Sequence, residues 1–209
     1  MSVPFALRRF LEARPQPPPG ERCELCGQPI AEEHGHVVSV EARNLLCVCR
    51  PCYLLFTREG AAHGKYRSVP DRYRYAPGVV LTDAQWEELQ IPVGIAFFFF
   101  NTPMARTVAF YPSPAGATES LLSLTTWAAL VRAHPLLGSL APDVEALLLR
   151  RLAGRFECFL VPIDACYELV GRLRRHWRGF DGGDEVRSEI EAFFEGLRAR
   201  SDVVETAAG

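Results

Sequence analysis

Seven cysteines and five histidines are the residues of this 209-residue chain best suited to chemistry, and five of the cysteines crowd into residues 23–52. Cys23-Glu-Leu-Cys26 is followed by Gly27, and 22 residues separate it from Cys49-Arg-Pro-Cys52. Two thiolates spaced by two residues can grip one ion because a tight turn points both sulfurs inward. Gly27 tolerates the left-handed backbone such a turn needs. Clustered thiols in odd number, in a chain with no export signal, point to metal ligation rather than disulfides. Cys23, Cys26, Cys49 and Cys52 are therefore the predicted ligands of one ion. All-sulfur tetrahedral coordination suits Zn²⁺, with iron as the alternative. A closed four-thiolate site has no open position for substrate, so the predicted ion is structural.

Three more candidate ligands lie between the two pairs. In a regular strand, Cys47-Val-Cys49 cannot easily place both sulfurs on one ion beside Cys52, so Cys47 is read as a buried thiol or an alternative ligand. His34-Gly-His36 comes after two glutamates and reads as a polar turn. A second reading is an auxiliary or second metal site at His34 and His36, since imidazoles spaced by one residue share a strand face; Cys47 is a further candidate ligand.

The two cysteine pairs lead into different kinds of sequence. Tyr-Leu-Leu-Phe comes directly after Cys52, and Pro51 fits a first helical turn. The second pair is thus predicted where a strand, Leu45 to Val48, feeds a helix whose N-terminus favours thiolates. That order resembles a treble-clef zinc finger more than a rubredoxin, whose knuckles usually both end in glycine where this chain has Tyr53.

Elsewhere the signals are weaker. Residues 65–75 interleave Lys65, Arg67, Arg72 and Arg74 with tyrosines, as a single-stranded nucleic-acid groove does. The stretch also holds Pro70 and Asp71, which favours a docking loop. Arg172, Arg175 and Arg178 crowd the end of a predicted helix, where cations complement the dipole; they are also candidate anion or partner contacts. Cys158 and Cys166 read as core thiols, and Trp86, Trp127 and Trp177 as core or interface anchors. No GxxxxGK[ST], GxGxxG, HExxH or GxSxG occurs, and no nucleophile–base pair stands out, so no catalytic residue is assigned.

The elements that must carry these residues are read from periodicity. Residues 1–20 form a short amphipathic helix and a proline-rich spacer, 21–60 the cysteine-rich zinc-binding module, 61–80 a linker loop, 81–200 an α+β domain and 201–209 a flexible tail. Within the domain, Thr82 and Gln85 form a capping box. Val93–Asn101 and Arg106–Tyr111 pair as strands, and Phe156–Ile163 is a buried strand. Helices are predicted over Ser120–Ala133, from Pro142 to about Leu152, from a cap at Asp164 to about Arg178, and over Asp184–Arg200. A small sheet with about four helices makes the fold class α+β.

Composition excludes several classes. Hydrophobic residues are 48% and charged residues 23%, enough for a packed core. A net charge of -2 argues against a chain that coats nucleic acid or acidic lipid. No apolar run reaches the roughly 20 residues of a membrane helix, and a cytoplasmic location is expected.

The runs CELCGQPI, HGH, LLCVCRPCYLLF, YRSVPDRY, QIPVGIAFFF, AFYPSPAGATES, PDVEALLLRR, VPIDACYELVGRLRRHWRG and EIEAFFEGL together resemble a bacterial, largely actinobacterial, family of unknown function found near genes for uptake nickel–iron hydrogenases. The likeness runs from about residue 21 to 200. It implies a hydrogenase accessory role with a protein partner, such as hydrogenase subunits or maturation factors, and carries over no activity. The reading that results is a non-enzymatic zinc-binding accessory protein. The alternatives are a rubredoxin-like iron electron carrier and a zinc-finger nucleic-acid binder.

Overall fold

The runs Ile-Ala-Phe-Phe-Phe-Phe-Asn and Glu-Ala-Leu-Leu-Leu-Arg-Arg-Leu are apolar on both strand faces, a pattern that only a sheet covered on both sides can accommodate. The computed structural model describes residues 21–79, 81–120, 124–177 and 183–204, and there these two runs are the central strands of a seven-stranded sheet. The sheet comprises β4 (Arg74–Tyr75), β5 (Ile95–Asn101), β6 (Arg106–Ser113), β7 (Gly116–Ser120), β8 (Glu145–Leu152), β9 (Arg155–Pro162) and β10 (Asp202–Val203). Its order is β10-β4-β9-β8-β5-β6-β7, antiparallel throughout except for β10 beside β4.

One face of this sheet, with Phe97, Leu148, Phe159 and Val161, packs against α4 (Ile163–His176) and α5 (Gly183–Arg200). The opposite face, with Phe98, Leu147, Leu149 and Leu160, packs against Trp86 and Leu89 at α2 (Asp83–Glu88) and against Leu130 of α3 (Leu124–Ala133). Side chains alternate between the two cores along each strand. Cys158 lies in one core and Cys166 in the other, both fully buried.

The smaller sheet, β1 (Gly35–Ser39), β2 (Asn44–Val48) and β3 (Tyr66–Ser68), is antiparallel in the order β2-β1-β3. Its faces also divide. Val37, Leu46 and Val48 turn to the cysteines, while Val38, Val40 and Leu45 join the core of the large sheet. The cysteine module is therefore packed onto the rest of the molecule through shared apolar contacts.

Several sequence expectations are corrected. Residues 144–152 are not a helix opened by Pro142 but lead into and form β8, because a strand buried between β5 and β9 outweighs a helix-forming composition. Asp164 does not cap α4; that place is held by Pro162, and Asp164 sits one residue inside the helix. The sheet is larger than expected. The stretch taken as a linker over 61–80 supplies β3 to one sheet and β4 to the other, and Asp202–Val203, taken as tail, is β10. Among the described side chains of α3, Leu130 is buried and Ala128 is exposed. The helix expected within residues 1–20 and the tail beyond 204 lie outside the described residues. The capping box at Thr82 and the β5–β6 pairing are present as expected.

The basic–aromatic stretch is spent on internal contacts. Arg72 forks onto the fully buried Glu145, with Nε donating to Oε1 at 2.8 Å and Nη2 to Oε2 at 2.6 Å. Arg67 donates to the Pro142 carbonyl and lies 3.6 Å from Asp143, and Arg74 donates to Ser139. Removing Arg72 strands a buried carboxylate. Arg72→Ala is expected to cost about 3 kcal/mol, at the low end for a buried pair because the arginine is itself half exposed. Arg72→Lys should recover only part of that, since an ammonium cannot fork. Urea melts of the two variants check it.

Candidate metal centre

The first cysteine pair is held by its own backbone. Gly27 N–H donates to the Cys23 carbonyl at 2.8 Å and Cys23 N–H to the Gln28 carbonyl at 2.8 Å. Gly27 takes φ +74°, the left-handed conformation that its position after Cys26 required. Arg22 Nη1 donates to the Gly27 carbonyl at 2.7 Å and closes the turn. The second pair arrives from β2. Cys49 has extended backbone as the N-cap of α1 (Arg50–Leu55), Pro51 lies in the first turn, and Cys52 is the helix's buried residue.

The four sulfurs converge. Those of Cys23, Cys26, Cys49 and Cys52 all lie within 4.8 Å of one another, and Cys26 Sγ is 3.5 Å from Cys49 Sγ. Sulfurs sharing a tetrahedral zinc sit roughly 3.8 Å apart, given Zn–S bonds near 2.3 Å. A disulfide would require about 2.05 Å, and all seven cysteines are free thiols. The cluster could hold a metal ion, and its all-sulfur donor set fits the predicted one.

The electrostatics fit too. Burial opposes ionisation of Cys23, but backbone N–H groups of Cys49, Cys26 and Leu25 outweigh it and bring the thiol down to about 6. Cys52 is pushed up to about 12, by burial first and then by the neighbouring thiols. Without a cation the cluster ionises unevenly, because each thiolate formed disfavours the next. A divalent ion removes that penalty.

Cys47 is not part of this group. It stands directly opposite His36 in the β1–β2 register, so the two side chains share a face. One ring nitrogen from each of His34 and His36 and the Cys47 sulfur lie within 4.8 Å of one another. The backbone of Cys47 is fixed at both ends by Glu24, whose carboxylate accepts from Cys47 N–H at 2.6 Å and whose N–H donates to the Cys47 carbonyl at 2.9 Å. Burial, then the charges of Glu24 and Glu21, push the Cys47 thiol up. Gly35, between the histidines, is a close-approach glycine: a Cβ there would lie 2.7 Å from Tyr53 Cδ2. Tyr53 in turn donates to the Val69 carbonyl at 2.9 Å, tying α1 to the small sheet.

Two residues acquire a place here that sequence reasoning did not give them. Asp164 Oδ2 accepts from His36 Nδ1 at 2.8 Å, across 128 residues of sequence, and no local signal could have linked them. Glu24 lies inside the first cysteine pair, where no sequence signal marks it. The arginine cluster is dispersed by contrast. Arg172 is engaged by Glu168 at 2.5 Å and lies over Phe193, Arg175 is exposed, and Arg178 lies outside the described residues.

A model of the family of unknown function DUF5947 matches residues 22–201. The chain belongs to that family. The match spans the cysteine pairs, the small sheet and all of the large sheet but β10, so the DUF5947 unit includes the four-cysteine cluster and the layers that support it. No curated protein and no solved structure matches the chain. No helix among the described residues is long and apolar enough to cross a membrane.

Proposed function

We propose that the chain is a non-enzymatic zinc-binding accessory protein, whose Cys23, Cys26, Cys49 and Cys52 hold one structural Zn²⁺ in a treble-clef arrangement. The observation that carries this reading is the meeting of four sulfurs from a glycine-ended turn and from the start of a helix, with a hairpin between them. The helix that begins after Cys49, with Tyr53 against Gly35, favours that arrangement over a rubredoxin-like one. The ion fixes a surface on which α1 displays Leu54 and Leu55, 51% and 66% exposed, and exposed apolar side chains of this kind suit a protein partner. The likeness to a family encoded beside uptake hydrogenase genes supports a role in assembling or maturing those enzymes. The nucleic-acid reading loses its arginines to Glu145, Pro142 and Ser139.

Elemental analysis of the purified protein is expected to find zinc in a colourless solution, with one equivalent lost on Cys26→Ser or Cys49→Ser. A red solution with ferric-thiolate absorption would replace the reading with an iron carrier. Deleting the gene in a hydrogenase-bearing host should lower hydrogen uptake. Unchanged hydrogenase maturation would remove the accessory role.

A further inference from the structure

We propose that His34, His36 and Cys47 form a second metal site, separate from the four-cysteine cluster, that takes a borderline divalent transition-metal ion through two imidazoles and one thiolate. Three protein ligands leave one position of a tetrahedral ion free. The inference does not rest on the accessory role or on the identity of the first ion.

The placement is built into the small sheet. His36 and Cys47 face each other across the β1–β2 ladder, and His34, two residues before His36, brings its ring centroid to 4.9 Å from that of His36. Donor atoms around a tetrahedral ion with Zn–N near 2.0 Å and Zn–S near 2.3 Å stand roughly 3.3–3.6 Å apart. The donors here lie within 4.8 Å of one another, close to that spacing.

The hydrogen bonds select the donor nitrogens. His34 Nδ1 donates to the Ala31 carbonyl at 2.9 Å, and His36 Nδ1 to Asp164 Oδ2 at 2.8 Å. Acceptors on both Nδ1 atoms hold the protons there and leave each Nε2 as a lone-pair donor, the usual outer arrangement of metal-bound histidines. His34 Nε2 is buried and has no hydrogen-bond partner, and its side chain is only 10% exposed. A buried ring nitrogen with nothing to bond, on a side chain grouped with a histidine and a cysteine, is what an ion would satisfy. Glu21 Oε2, 3.6 Å from His34 Nδ1, and the Glu24 carboxylate on Cys47 N–H add negative potential that favours a cation.

A cleft of about 840 Å³ runs beside the two histidines, with His34, His36, Arg50, Tyr53 and Asp164 in its walls. Three protein ligands and a free position make an exchangeable or reactive site, whereas four thiolates close the first one. Imidazole and thiolate together select zinc-like ions over magnesium or calcium. The two sites share a wall, since Glu24 lies between Cys23 and Cys26 and holds the backbone of Cys47.

The test is a Co²⁺ titration of the reduced, metal-stripped full chain, read by visible absorption and by elemental analysis. Two ions per chain are expected, one with the intense charge transfer of a tetrathiolate and one with the weaker band of a single Co–S bond. Cys47→Ser and His36→Gln should each abolish the second binding event and leave the tetrathiolate spectrum unchanged. Asp164→Asn, which acts only through His36, should weaken the second ion about 10- to 100-fold without moving the first. A single ion per unaltered chain in excess Co²⁺ overturns the proposal. So does retention of two ions by both Cys47→Ser and His36→Gln.

Discussion

Stripping the four-cysteine ion with a chelator, or changing Cys52 to Ser, is expected to lower the melting temperature by at least about 10 °C and to expose the amides of β1 and β2 to exchange. The reason is a matter of scale. Among the described residues, the core beneath the cysteines has Cys23, Val37, Val48 and Cys52 as its buried members, with a few partly buried neighbours. So small an apolar cluster does not order a module by itself. A structural zinc contributes about 10–16 kcal/mol in isolated fingers, as much as or more than the whole stability of an ordinary domain. With the ion gone, nothing offsets the mutual repulsion of the thiolates that form in the cluster. Hydrogen exchange should show protection lost over residues 35–48 and retained in β5, β8 and β9. Unchanged protection over 35–48 after chelation would contradict the structural role of the ion.

Phe159→Ala should be the most damaging single change in the large sheet. Phe159 is fully buried in β9, stacks on Tyr75 with ring centroids 4.8 Å apart and meets Phe194 of α5 at 5.7 Å. One side chain thus joins β4, β9 and α5. Truncating a buried phenylalanine costs about 3–5 kcal/mol, through lost transfer energy and the cavity left behind. Denaturant melts should show a lowered midpoint with an unchanged slope. Phe100→Ala, on the same sheet but 40% exposed, should cost far less and serves as the control. Equal effects of the two would mean that the core is not centred on β9.

What could be read in the sequence was local. The cysteine pairs are legible because two residues and a glycine fix where the sulfurs point, and Thr82 with Gln85 because a capping box closes within one turn. Long-range pairing left weaker traces. The hairpin that sets His36 against Cys47 turns through Val40-Glu-Ala-Arg43, where Arg43 itself takes φ 54°. No Asn-Gly or Gly-Gly announces that turn, so the register that sets Cys47 against His36 could not be derived. β3 and β4 have three residues and two, too few to show an alternating pattern. Glu145-Ala-Leu-Leu-Leu-Arg-Arg-Leu reads as helix because leucine, alanine and glutamate all favour one. It is a strand because both of its faces are covered.

The two-residue strand β4 has a consequence for how the protein is made. Arg74 and Tyr75 lie between β9 and β10, with Tyr75 beside Phe159 and Val203. As the nascent chain leaves the ribosome, that strand therefore waits with both edges bare until most of the polypeptide has been translated. All the thiols of the metal centre lie within residues 23–52 and emerge long before. If the four cysteines take an ion as proposed, its capture can come first and sheet closure last, so the metal supply during synthesis would affect how much chain folds.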